Sequence, residues 1–479
     1  MGAADGGRGA HHPARAGRIR LRSEMAHPRP RGRRREGMKD FEREDNMKKR
    51  LNVLYAAAIS LSSLVVGTAA WAGTVRIMTT ETNPDTKKVL ESVIADYEKT
   101  NPSTKIEVQY VGFQDMTQKL MAAVAAGDPP EVFNVQNQYE TFELARKGII
   151  RPGDPIIDHV GRKDYFDRVL KAMTLDGKVW AVPFSIGVNV LWYRKDLYDK
   201  YGLKEPKSWD EYLNNLEVLT KSEGQGGGGK FYGTAMSVGD TWLTNDIVQN
   251  WMWSNGATVF DKDGAVTLDK PNAVDTFAFL AKVTSFAPPG VNNYSNNEMM
   301  NAFATGAVGH TDYPFRLLSY LQQFNPQLLD VAVPMLHPPG NGPGAHPAAL
   351  LYIKSWAFSK GAKNQKEAED FISYLETGDR KIRMMKTVPV HYWPPLKSVS
   401  ENPSFLDQPL FKTPAGEKSL AVLKQALDVG QFPLNEAGEP QLKLGPVLQS
   451  RSLAKILEQV VIRKTPAETA VDAVAKKLK

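Results

Sequence analysis

The side chains best placed to do chemistry in this chain sit at the ends of strand-like segments, and the chemistry they suit is binding. Asn137, Gln138 and Tyr139 follow a short apolar run, and three polar or aromatic groups there have no obvious core role. Glu81 and Thr82 close the first such run, and Phe113, Gln114 and Asp115 follow the second, where Asp115 is placed to cap the next helix. Amides and carboxylates suit hydroxyl groups, which both donate and accept hydrogen bonds. Rings supply rigid contact area at low entropic cost.

Signatures of catalysis are scarce. The chain has no Cys, which excludes disulfides, thiolate metal sites, a Cys nucleophile and a lipid-bearing N-terminal Cys. His159, His310, His337, His346 and His391 show no close metal spacing, and there is no Gly-x-Ser-x-Gly elbow. The glycine-rich run 224–229 continues into Lys230-Phe231 rather than Lys-Ser or Lys-Thr, so it reads as a loop and not a phosphate cradle. Paired carboxylates for glycoside hydrolysis stay open, because such pairs are distant in sequence. No cofactor or metal is expected.

The elements that carry these groups alternate. Residues 74–78 read as a strand, 86–98 as an amphipathic helix, 105–111 as a strand, 115–126 as a helix and 131–135 as a buried strand. This β-α-β-α-β order predicts a parallel sheet covered by helices. Further on, 180–183 and 189–193 read as extended segments around 184–188, and 307–311 as a strand. Helices are expected near 209–221, 246–255 and 272–286, and two amphipathic helices over 453–479 split at Thr465-Pro466. Trp251 and Trp253 fall in an apolar helical run and read as core. The Pro- and Gly-rich stretch 338–347 reads as a linker.

The 479 residues carry a net charge of +7, unevenly placed. Residues 1–72 hold 15 Lys and Arg against 7 Asp and Glu, so the remainder is close to neutral and gives no argument for nucleic acid as a partner. Within that leader, Met47-Lys48-Lys49-Arg50 precedes an uncharged apolar stretch, 51–66, and then Ala70-Trp71-Ala72. This pattern predicts a signal peptide of the Sec route, cleaved after Ala72, that leaves the protein free in the periplasm. Residues 1–46 read as a disordered basic extension ahead of a start at Met47 or Met38.

Several blocks in order resemble the extracellular solute-binding proteins of family 1, the group that includes maltodextrin-binding proteins. They are Asp96-Tyr97-Glu98 with Asn101-Pro102, then Ala126-Gly127-Asp128-Pro129-Pro130-Glu131-Val132, then Gly177-Lys178-Val179-Trp180-Ala181-Val182-Pro183. Leu191-Trp192-Tyr193-Arg194-Lys195-Asp196-Leu197-Tyr198, Phe303-Ala304-Thr305-Gly306 and Lys464-Thr465-Pro466-Ala467-Glu468 follow. The resemblance spans about 74–478. It implies an α/β, two-lobed, type II periplasmic binding fold, each lobe a mostly parallel sheet flanked by helices, with the ligand cleft between lobes. The lobes implied are 74–185 plus 348–388 and 186–342 plus 389–479, with crossings near 184–188, 340–349 and 388–391.

The same resemblance implies ligand contacts at Glu81 and Thr82, at Asn137, Gln138 and Tyr139, at Asp240 and Trp242, and at Asp312 and Tyr313 just after their strand. Arg316 offers a fork for an anionic group. His346 and Tyr352 flank the second crossing and His391-Tyr392-Trp393 the third. The function implied is non-enzymatic capture of a small polar solute, a sugar first, by a monomer that closes on it and delivers it to the membrane permease of an ABC importer. A glycerol phosphoester, a polyamine or another organic ion is the alternative ligand, a periplasmic hydrolase the alternative class, and a sensory role is open. The chain departs from the family pattern at Gly187, where many members are acidic, and at Tyr193-Arg194, where many have Tyr-Asn. It also lacks the final aromatic cluster around Gly445-Pro446. These differences point away from maltodextrin itself.

Overall fold

The structure, a computed structural model, describes residues 73–224, 230–433 and 441–479. The expected signal peptide, the basic extension and residues 225–229 of the glycine-rich loop lie outside the described residues. The chain opens as the alternation predicts. Strand β1 (Gly73–Thr79) leads to helix α1 (Pro84–Thr100), whose start is fixed by Asn83: its side chain accepts from the backbone N–H groups of Asp85 and Thr86, and Pro84 fills the first helical position. Leu90, Val93 and Tyr97 form the buried stripe of α1. Strand β2 (Thr104–Tyr110), helix α2 (Met116–Ala125), strand β3 (Val132–Val135), helix α3 (Gln138–Arg146) and the short strand β4 (Ile150–Arg151) follow, then helix α4 (Asp167–Ala172).

Strand β5 (Val182–Arg194) is 13 residues long and buried along all but its last residue. The two extended segments read from sequence are therefore one element. The intervening Phe184, Ile186 and Val188 are aromatic and β-branched, so a strand covered on both faces runs straight through them. Helices α5 (Trp209–Gly224), α6 (Trp242–Ser254) and α7 (Pro271–Thr284) come next and pack through aromatic rings. Trp209 stacks on Phe279 at 3.9 Å between centroids, and Trp251 meets Phe279 at 5.1 Å.

Strand β6 (His310–Pro314) starts three residues later than the sequence pattern suggests. Residues 307–309 are used elsewhere: Tyr232 donates to Ala307 and Gly309 donates back to Tyr232. Only from His310, opposite Tyr193, does the ladder with β5 begin. Helix α8 (Arg316–Phe324), strand β7 (Ala332–Met335) and strand β8 (Leu350–Ser359) follow. The stretch 338–347 is the loop between β7 and β8. It is closed by a bridge between His337 and Ala348 and held on Asn255, whose Oδ1 accepts from Gly342 N at 2.7 Å. Helices α9 (Gln365–Leu375), α10 (Gly378–Met385), α11 (Pro414–Val429), α12 (Leu444–Gln449), α13 (Ser452–Val461) and α14 (Ala467–Leu478) complete the described chain.

Among the described residues eight strands form one sheet, in the order β2-β1-β3-β8-β5-β6, with β4 beside β8 and β7 beside β5. The parallel pairing predicted for the opening is present, β1 with both β2 and β3. The two long strands depart from it: β8 is antiparallel to β3, and β5 is antiparallel to β8, β6 and β7. The first half of the sheet and the second are thus joined by β5 and β8. No helix of the described residues is long and apolar enough to cross a membrane.

Candidate ligand cleft at the crossing strands

Strands β5 and β8 pair from Asn189 opposite Leu350 to Val182 opposite Trp356. A third segment joins them where Ile186 and Trp393 exchange backbone hydrogen bonds at 2.8 and 3.3 Å. It turns through Val390 at φ 64°, a left-handed conformation that is strained for a β-branched residue. At the centre Gly187 faces Tyr352. A Cβ on Gly187 would lie 2.1 Å from Tyr352 Cζ, so the tyrosine ring lies across the strand pair in space that only glycine leaves open. This accounts for glycine at position 187.

Buried charges around this point are matched. Glu81 accepts from Lys354 Nζ at 3.0 Å and from the hydroxyl of Tyr392, which ties the loop after β1 to the second and third crossings. Burial pulls the Lys354 ammonium down, opposed by Glu81. Asp312 Oδ2 takes His337 Nε2 at 2.7 Å and Trp251 Nε1 at 3.1 Å. Asp246 has no cation beside it. Burial, with the Asp312 carboxylate adding and Asn189 opposing, pushes its carboxyl up to about 8. Asp246 still shows part of its surface. Arg316, in the first turn of α8, is half-buried, and no hydrogen bond or ion pair of its guanidinium occurs among the described residues. Its charge bears on Lys354, His391, Tyr313 and Tyr352.

Against these matched charges stands a group of buried polar atoms with no partner among the described residues: both amide atoms of Gln138 and Asn250, Asn189 Oδ1, Asp312 Oδ1 and His391 Nδ1. Buried polar atoms in folded chains are nearly always hydrogen-bonded, so such a concentration marks a place where further partners bind. Positions 246, 249, 250 and 253 follow the helical repeat and share one face of α6. Beyond Gln249 that face borders a cavity of about 650 Å³, lined also by Trp253, Phe260, His346, Gln431 and Phe432.

The residues expected to bind are distributed unevenly. Gln138 and Tyr139 are buried at the start of α3, where Tyr139 packs toward Gly445 of α12. Burial and then Asp246 push the Tyr139 phenol well up. Asp312 and Tyr313 are buried in the cluster, within β6 rather than after it. Trp242 opens α6, half-buried, one turn before Asp246. Glu81 is in the cluster, but both of its oxygens are committed to Lys354 and Tyr392. Asn137 is spent on its own helix, accepting from Glu140 N at 2.9 Å, and Thr82 is exposed. The structure moves Asp240 out of the cluster: it is an exposed ion pair with Arg451 at 2.5 Å and Lys455 at 3.9 Å. Asp115 makes no cap hydrogen bond and faces Lys119 at 3.7 Å. His346 lines the cavity, its Nδ1 2.9 Å from Gly344 O and its Nε2 3.2 Å from Gln431.

Sequence reasoning missed Asn189, Asp246, Gln249, Asn250 and Lys354. The signal for three of these was a polar face inside an apolar helix. Trp251 is core as read, though its N–H serves Asp312, while Trp253 is buried and lines the cavity.

A family model described as bacterial extracellular solute-binding protein matches residues 83–377. The chain belongs to this family. It is 25% identical over 411 residues to an Escherichia coli protein named putative ABC transporter periplasmic-binding protein YcjN, covering 84% of this chain and 91% of that one. It is 26% identical over 355 residues to the multiple sugar-binding protein of Streptococcus mutans, covering 70% and 79%. Among solved structures it resembles maltose-bound MalE3 of T. maritima, with a TM-score of 0.71 at 20% identity, covering 85% of this chain and 98% of that one. The fold is therefore the two-lobed type II binding fold. As an ABC solute-binding protein the chain falls in a family of binders, not enzymes, and the hydrolase reading has no support.

Proposed function

We propose that this solute-binding protein captures a carbohydrate at the crossing strands and delivers it to the permease of an ABC importer. One observation carries the reading: buried amides of Gln138 and Asn250, with Asn189 Oδ1, Asp312 Oδ1 and His391 Nδ1, have no partner among the described residues, while Glu81 and Lys354 are matched to each other. A neutral solute rich in hydroxyls satisfies amides, a carboxyl and an imidazole together, and an aromatic face suits the C–H face of a sugar. The sugar-binding relative and the maltose-bound neighbour support the same class. Lobe limits at 74–185 with 348–388 and 186–342 with 389–479 belong to this proposal. So do closure on the ligand, a monomeric state, export by the Sec route with cleavage after Ala72, and residence in the periplasm. The guanidinium of Arg316, unpaired among the described residues, favours a second reading, a solute with an anionic group such as a phosphoester.

A thermal-shift screen of the protein against sugars, sugar alcohols, glycerol phosphoesters and polyamines tests both readings. A ligand at about 100 times its dissociation constant adds roughly 2.7 kcal/mol of stability. Shifts with neutral carbohydrates are expected. Shifts with phosphoesters alone would move the assignment to the second reading, and shifts with amines alone would sink both.

A further inference from the structure

We infer that His337 is a positioning residue for ligand capture, which acts through Asp312 by fixing that carboxylate so that its other oxygen is kept for a hydroxyl of the solute. This rests on the carbohydrate reading above and says how one of its acceptors is aimed. Asp312 is bonded on one side only. Its Oδ2 takes two donors, the His337 ring at Nε2 from 2.7 Å and Trp251 Nε1 from 3.1 Å. Its Oδ1 is buried and has no partner among the described residues. Two donors on one oxygen stop the carboxylate from swinging. Oδ1 then keeps one direction and can only accept, so it calls for a donor such as a hydroxyl.

The sheet places Asp312 among other groups that lack partners. Asp312 stands opposite Leu191 in the ladder of β5 with β6, and Tyr352 stands opposite Gly187 in the ladder of β5 with β8. Side chains alternate along a strand, so Asn189, two residues from each of Leu191 and Gly187, shares one face of the sheet with Asp312 and Tyr352. Asn189 Oδ1 is also buried and without a partner among the described residues. The Asp312 charge reaches Asp246 of α6, which shows part of its surface.

His337 is itself held from several sides. It is fully buried, and its ring meets Trp251 edge-on at 4.9 Å and 90°. The backbones of His337 and Ala348 exchange hydrogen bonds at 3.0 and 3.1 Å, and Nδ1 lies 3.3 Å from the same Ala348 carbonyl oxygen. That pair closes the loop 338–347, so the imidazole ties the carboxylate to both ends of the segment that leads from β7 into β8. A group fixed in this way loses little freedom when a solute arrives, and a residue that fixes it governs affinity without touching the solute.

Proton–nitrogen spectra of the imidazole rings in the full-length protein test the geometry without a ligand. His337 Nε2 is expected to carry the proton that it gives to Asp312, and a bare Nε2 would overturn the inference. Calorimetric titration with glucose, galactose, maltose, lactose and ribitol then compares His337→Phe, which removes the donor, with His337→Gln, which keeps an N–H near the position of Nε2. His337→Phe is expected to weaken whichever of these binds about tenfold, and His337→Gln about threefold or less. The Trp251 indole N–H resonance is expected to move in His337→Phe and to stay close to its place in His337→Gln. A purely structural role would lower the unfolding midpoint of His337→Phe and leave its affinity unchanged, which would overturn the inference and leave the carbohydrate reading standing. Should His337→Phe not fold, the unsubstituted protein decides. Adding the sugar is expected to shift the His337 Nε2–H and Trp251 Nε1–H resonances together, and unmoved resonances would overturn the inference. If no sugar or sugar alcohol binds, the carbohydrate reading falls and this inference with it.

Discussion

Two buried polar regions of this protein are built on opposite terms. Between α9 and α10, Glu376 pairs with Lys381, accepts from Trp356 Nε1 at 2.9 Å, and Lys381 donates to the backbone carbonyl of Phe184 at 2.6 Å. The pair touches both long strands, because Phe184 is in β5 and Trp356 is in β8. Burial pushes the Glu376 carboxyl up and the Lys381 ammonium down, and each opposes the shift of the other. Along α6, by contrast, Asn250 is as deeply buried and its amide makes no hydrogen bond among the described residues. The first arrangement is what a chain uses to hold itself together. The second weakens the chain unless something binds there, which is the mark of a site.

That contrast is sharpest in what substitution does. Lys381→Met leaves the Glu376 carboxylate alone in the interior and is expected to cost about 3–5 kcal/mol of stability, read by urea unfolding. A loss under 1 kcal/mol would show that the pair is not the anchor described. Asn250→Leu replaces an unsatisfied amide with an apolar group of similar size. It is expected to raise the stability of the unliganded protein by about 1 kcal/mol while weakening sugar binding tenfold or more. A stability loss instead would mean that the amide has a structural partner.

A third effect concerns pH. A carboxyl held at about 8 in the fold, against about 3.9 unfolded, binds its proton more tightly when folded. Stability from Asp246 is therefore fully present below about pH 4 and is lost as pH rises toward about 8. Asp246→Asn removes this dependence and flattens the stability profile in that window by up to about 1.4 kcal/mol per pH unit. Unfolding midpoints from pH 5 to 8 check it, and an unchanged slope would place Asp246 in a solvated environment.

Much of the scaffold was legible in the sequence because local rules decide it. Asn83-Pro84 starts a helix wherever it stands, and the alternation of 105–111 yields a strand on its own. The two α13–α14 helices separated by Thr465-Pro466 are another such case. What local rules could not supply is which strands meet. Residues 184–188 were read as an interruption because their burial on both faces depends on β8 and on Trp393, far away in the chain. The site suffers more from the same cause. Glu81 was legible as a strand exit, but its partner Lys354 is 273 residues distant. The polar face of α6 was masked by apolar neighbours on every other side, which made the helix read as interior throughout.

The uninterrupted run of β5 bears on how such a molecule would move. A strand clasped by β8 and β7 along one edge, and by β6 and Trp393 along the other, has no single swivel residue. Rotation of one end against the other has to be taken up as a small change of twist at many positions, in the manner of a torsion bar. Such a joint resists more the further it is turned and returns when released, so an angle set by the ligand would be held by elastic load as well as by contact.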